Sequence, residues 1–133
     1  VSKEFTVISH IGDSRAYLID GTVTQLTRDH SVVQSLIESG KLTHEEARVH
    51  PRRNVITRAL GIEADVLVDS DEFPIKEGQS LLLCSDGLSN FITKDEIKNI
   101  FDSLDTENVA SALVEKANNN GGGDNITVIT VTL

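Results

Sequence analysis

The chain has 133 residues, a formal net charge of −9 and a pI of about 4.8, a length that suits one domain. An acidic surface repels phosphate backbones, so nucleic acid is excluded as an expected partner. No apolar run approaches the ~20 residues that cross a bilayer, and the single cysteine, Cys84, leaves no internal disulfide. Hydrophobic residues make up 38% and charged residues 25%, enough apolar material for a packed core. Cys84 follows three leucines and reads as a buried apolar residue in a reducing compartment. The segment Val1 to Phe5 has no signal-peptide h-region, and the expected location is the cytoplasm. Methionine is absent and strand-like sequence begins at Phe5, which suggests a fragment or a processed product.

Phe5 to Ile11 reads as a buried strand, interrupted by Gly12-Asp13-Ser14-Arg15. Ala16 to Ile19 and Thr22 to Leu26 are β-rich. The link Asp20-Gly21 predicts a two-residue hairpin, because both residues tolerate positive φ. Asp29 is the expected cap of a helix bearing Val32, Val33, Leu36 and Ile37, which Gly40 ends. Thr43 with Glu46 forms a capping box for a second helix, which Pro51 stops. Arg48, His50, Arg52 and Arg53 are the one basic cluster. It is either a solvated loop or an anion-facing flap.

Val55 to Leu60 is short and apolar, and Val66 to Phe73 predicts a strand with Pro74 at its end. Leu81 to Leu88 is the stretch around which the chain is organised. An apolar strand ends abruptly in Asp86-Gly87, so a carboxylate is delivered at its mouth. Thr93 and Glu96 form another capping box, with Ile97, Ile100, Phe101 and Leu104 following at helical spacing. Thr106 is the expected cap of a last helix carrying Val109, Ala110, Leu113, Val114 and Ala117. Asn118 to Gly123 is a loop, and Ile126 to Leu133 a final strand. No internal repeat or linker divides the chain, which gives a single α+β unit.

The glycine-rich loop Gly121-Gly122-Gly123 presents Asp124 much as the Leu81 strand presents Asp86. Two strand-edge carboxylates with glycines beside them suit a hard cation such as Mg²⁺ or Mn²⁺. Other motifs fail on spacing. Asp69-Ser70-Asp71 starts a calcium loop, but Phe73 and Pro74 stand where a ligand and a glycine belong. His44-Glu45 starts a zinc-protease helix, but Arg48 replaces the second histidine. The four histidines are scattered and read as structural or solvated.

Five segments in fixed order remain: Gly12 to Arg15, Leu26 to Ser31, Asn54 to Gly61, Ser85 to Leu88 and Gly122 to Asn125. Together they resemble the protein phosphatase 2C family, the metal-dependent Ser/Thr phosphatases, and most of all its bacterial branch. The resemblance covers essentially the whole chain. It implies an antiparallel β-sandwich flanked by helices, with a dinuclear Mg²⁺/Mn²⁺ centre at one end. There a metal-activated water attacks the phosphorus of phosphoserine or phosphothreonine in proteins. Asp86 and Asp124 match two ligands of one ion. Asp13 matches an acid that helps hold an additional, weaker metal in bacterial members. Arg15 and Asn125 match residues supporting the site by hydrogen bonding, with Gly87 beside Asp86, and Thr43 to Arg58 covers the family's flap. The family's Asp-Gly-x-Gly-Gly motif, with its bridging aspartate, and its phosphate-clamping arginine have no counterpart in residues 1–133. The expectation is therefore the C-terminal portion of one catalytic domain, incomplete, supplying one side of the centre and inactive alone. The complete domain is expected to be a monomer. The competing readings are a non-catalytic interaction module and a plain structural fragment.

Overall fold

The computed structural model describes Ser2 and residues 4–133. Val1 and Lys3, and with them part of the signal-peptide reading, lie outside the described residues. Among the described residues, six strands form two antiparallel sheets. β1 (Phe5–His10) pairs with β4 (Asp69–Pro74) in a two-stranded sheet. β2 (Arg15–Ile19), β3 (Val23–Gln25), β5 (Ser80–Cys84) and β6 (Val128–Thr132) form the other, in the order β3-β2-β5-β6. The arrangement is the expected antiparallel sandwich flanked by helices.

Strand alternation decides where the core sits. Tyr17 lies opposite Leu82 in the register of β2 and β5, and both point to one face. On that face Ile19, Leu82 and Cys84 pack with Leu88, Ile97, Val109, Leu113 and Ala117. These helical residues belong to α3 (Asp86–Ser89), α4 (Lys94–Ser103) and α5 (Thr106–Asn119). β5 supplies the centre because it is hydrogen-bonded on both sides and buried on both faces. On its other face, Ile8 and His10 of β1 line a cavity of about 500 Å³ with Leu83 and Ile129.

Several local expectations shift. The first helix, α1 (Val32–Glu38), is capped by Ser31, whose hydroxyl accepts from the Gln34 N–H. Asp29 is drawn away from that end by Arg15. Thr106 is the first residue of α5 and Asp105 holds the cap position, without a side-chain bond. The hairpin turn has three residues, since Ile19 pairs with Val23 and the Asp20 N–H donates to the Thr22 carbonyl. β1 is only half buried, because it pairs with β4 alone and nothing covers the outer face of Phe5 and Val7. β4 starts at Asp69, three residues later than expected, because the chain before it is turning and Arg58 takes the Leu67 carbonyl. The capping boxes hold at both sites: Thr43 starts α2 (His44–Val49) and Thr93 starts α4.

Candidate metal centre

Asp13 lies in the turn between β1 and β2, and Asp86 follows β5 at the first residue of α3. β2 and β5 are antiparallel with Arg15 opposite Cys84, so the start of one strand and the end of the other coincide. That register carries the two acids to one place. Both are half-buried and both line a cavity of about 460 Å³. Burial raises the Asp13 carboxyl above its ordinary value, and the Asp86 charge raises it further. A carboxyl penalised by burial and by a neighbouring acid is a donor that a hard cation relieves.

Asp124 reaches the neighbourhood through its backbone. Ser85 fastens the loop from both sides: its Oγ accepts from the Thr127 N–H at 3.0 Å, and its N–H donates to the Thr127 carbonyl at 3.1 Å. The Ser85 hydroxyl also donates to the Asn125 carbonyl at 3.3 Å. Gly87 is required here by space. A Cβ on it would lie 2.2 Å from the Asn125 carbonyl oxygen, a backbone atom that cannot swing aside. The Asp124-Asn125 segment therefore rests on the Asp86-Gly87 turn. Asp124 itself is exposed, its Oδ1 accepts from the Asn125 N–H, and it is not among the residues lining the Asp13–Asp86 cavity. The contribution of Asn125 is a carbonyl at the Gly87 turn.

Arg15 makes a forked contact with Asp29. Its Nε and Nη2 donate to the two Asp29 oxygens at 2.9 and 2.6 Å, and Nη1 donates to the Tyr17 hydroxyl at 3.3 Å. Burial opposes its charge and the Asp29 bonds outweigh that, holding the guanidinium above its usual range. Asp29, expected as a cap, is thus the arginine's partner. The sequence signal for it was its place beside His30 within the Leu26–Ser31 segment.

The basic cluster divides. Arg48 and Arg53 line the same cavity as Asp13 and Asp86, with His44 beside them. His50 ends α2 and accepts the Arg52 N–H through Nδ1. Two of the four basic residues thus line the cavity that holds the two acids, and both are exposed. Among the described residues, His10, His30 and Asp69 place ligand atoms within 4.8 Å of one another. A cation already serves that group: Arg58 Nη1 donates to Asp69 Oδ1 at 2.7 Å.

No family model matches the chain. The serine/threonine phosphatase stp of Listeria monocytogenes is 46% identical over 133 aligned residues, spanning 98% of this chain and 53% of the relative. The structure of serine/threonine phosphatase Stp1 from Staphylococcus aureus superposes with a TM-score of 0.95 at 36% identity, covering 100% of this chain and 53% of that one. The chain belongs to the protein phosphatase 2C family. It spans about half the length of the curated relatives it matches. The catalytic domain of the phosphatase PstP, solved in complex with two manganese ions, matches at a TM-score of 0.82 and 34% identity, over 98% of this chain and 54% of that one. Among the described residues, no helix is long and apolar enough to cross a membrane.

Proposed function

We propose that this chain supplies one side of a dinuclear Mg²⁺ or Mn²⁺ centre that hydrolyses phosphoserine and phosphothreonine in proteins. The observation that carries the reading is the shared cavity, which Asp13, Asp86, Arg48 and Arg53 all line. It brings acids suited to cations together with guanidinium groups suited to a phosphate. In the assignment, Asp86 and Asp124 hold one ion and Asp13 helps hold an additional one. Bound metal would supply Lewis-acid activation of water and stabilise charge on the transferring group. The chain's own residues do the rest. Arg15, locked to Asp29, fixes the β2 entrance; Gly87 lets the Asn125 peptide close on the Asp86 turn; Arg48 and Arg53 attract the phosphate. The chain forms the C-terminal portion of one catalytic domain whose bridging acid lies outside residues 1–133.

The test is hydrolysis of a phosphothreonine peptide at saturating Mn²⁺. We expect little turnover from this chain alone, and recovery when a segment containing Asp-Gly-x-Gly-Gly is added. Asp86→Ala should abolish the recovered activity. Strong turnover by the chain alone, lost in Asp86→Ala, would mean that residues 1–133 hold a complete centre. No turnover even with the added segment would favour a non-catalytic interaction module.

A further inference from the structure

We propose that His30 is a positioning residue for Asp13, gripping the Gly12 peptide by both of its polar groups while Asp69 and Arg58 grip the imidazole. The inference rests on Asp13 being a metal-holding acid.

Gly12 has φ +100, a conformation that glycine takes without strain and other residues resist. A turn built on such a residue has no side chain of its own to lock it, so the lock must come from elsewhere. His30 supplies it twice. The His30 N–H donates to the Gly12 carbonyl at 2.8 Å. The Gly12 N–H donates to His30 Nδ1 at 3.1 Å. The next residue is Asp13.

His30 is 2% exposed, so both ring nitrogens need partners. An Nδ1 that accepts carries no proton, which places the proton of the neutral ring on Nε2. From there it is donated to Asp69 Oδ2 at 2.9 Å. Arg58 Nη1 completes the carboxylate through Oδ1 at 2.7 Å and also donates to the Leu67 carbonyl at 3.2 Å. Arg58 Nη1 also lies 3.1 Å from Nε2, but with the proton there the two groups are both donors, and Asp69 serves both. The His10 ring stacks on His30 at a centroid distance of 4.7 Å and is itself tied to the Arg28 carbonyl. The Thr57 N–H donates to the His30 carbonyl at 2.8 Å. The turn that carries Asp13 is thus bonded through one buried ring to β4 and to the chain around Arg58. An acid that must meet an ion at fixed distance benefits from such support.

Two substitutions separate positioning from packing. In His30→Asn the amide oxygen falls near the place of Nδ1, which keeps an acceptor for Gly12 and loses Asp69. In His30→Gln the amide reaches toward Asp69 and abandons Gly12. Both remove the ring and its stacking. The measurements, on the full-length protein, are Mn²⁺ affinity from the free-ion electron paramagnetic resonance signal and, without metal, hydrogen exchange of the Gly12 amide by NMR. His30→Gln should weaken Mn²⁺ binding by roughly 10–100-fold and expose Gly12 to exchange. His30→Asn should keep Gly12 protected and weaken Mn²⁺ binding by less than His30→Gln does, since it loses only the Asp69 link. Equal affinities in the two variants, or a Gly12 amide still protected in His30→Gln, would overturn the proposal. If either variant fails to fold, Asp69→Asn takes its place. It should weaken Mn²⁺ binding less than loss of the Gly12 acceptor does, and an unchanged affinity overturns the relay. Asp13→Asn with unchanged Mn²⁺ affinity would overturn the underlying assignment of Asp13, and the Gly12 exchange pattern would then decide the clamp alone.

Discussion

Residues 80–84 and residues 50–68 both carry apolar side chains, and the fold uses them in opposite ways. In β5, Leu82 is sealed against the helices and Leu81 is buried on the opposite face. In the 50–68 segment Val55, Ile56, Leu60, Ile62, Leu67 and Val68 all face outward, Leu60 at 77% exposure. That segment is held by polar contacts: Arg58 to Asp69, the Thr57 N–H to His30, and the bridge between Ser31 and Ile56. One region is stabilised by burial and the other by a few directional bonds. The first kind of stability is global and insensitive to pH. The second is local and depends on charge.

The largest effect that tests this contrast is a pair of truncations. Leu82→Ala opens a cavity in a fully buried site and should cost ~2–5 kcal/mol. Leu60→Ala removes side chain already in water and should cost about 0.5 kcal/mol or less. Urea unfolding followed by circular dichroism reads both. Similar losses would show that the 50–68 segment is packed in solution and would break the comparison.

A subtler pair uses one device placed in both regions. Thr43 and Thr93 make the same reciprocal capping box with a glutamate three residues on. α4 buries Ile97 against the core, whereas α2 buries only Ala47. Thr93→Ala should therefore lower global stability by ~1 kcal/mol. Thr43→Ala should leave the global transition nearly in place and speed amide exchange within α2 alone. If both lower the global transition equally, α2 belongs to the cooperative core.

The division also explains what was readable from the chain. The β5 strand, the two capping boxes and the order of helices carry local signals: apolar runs, Thr-x-x-Glu spacing, heptad-like stripes. Asp86 was legible because a strand runs into it. The pairing of Arg15 with Asp29 was not, because a residue that looks like a cap is diverted by a partner 14 positions away. His30 was hidden for the same reason. A buried histidine is defined by which backbone and carboxylate meet it, and Asp69 lies 39 positions on. The three-residue hairpin turn was missed because Asp-Gly signals a turn without fixing its length. Tertiary polar contacts, unlike apolar periodicity, leave no repeating mark.

The smallest effect concerns charge in the second region. The hydrogen bond with His30, and then that with Arg58, hold the Asp69 carboxyl at about 2, below its ordinary 3.8. A carboxyl depressed in the folded state binds protons less readily there than in the unfolded chain. Its contribution is therefore complete above 3.8 and is lost as pH falls toward about 2. The carboxylate is partly exposed, so solvent screens the gain and the effect on overall stability is slight. Its local consequence is easier to see. Protonated Asp69 no longer offers a charge to Arg58, and the bond that reaches Thr57 from the His30 backbone loosens with it. Amide protection at Thr57 should hold above 3.8 and decline across that interval, while the amides of β5 keep theirs. Asp69→Asn should remove the decline by leaving protection weakened at every pH. If protection at Thr57 falls together with β5, the 50–68 segment and the sheet are one cooperative unit, and the distinction between them fails.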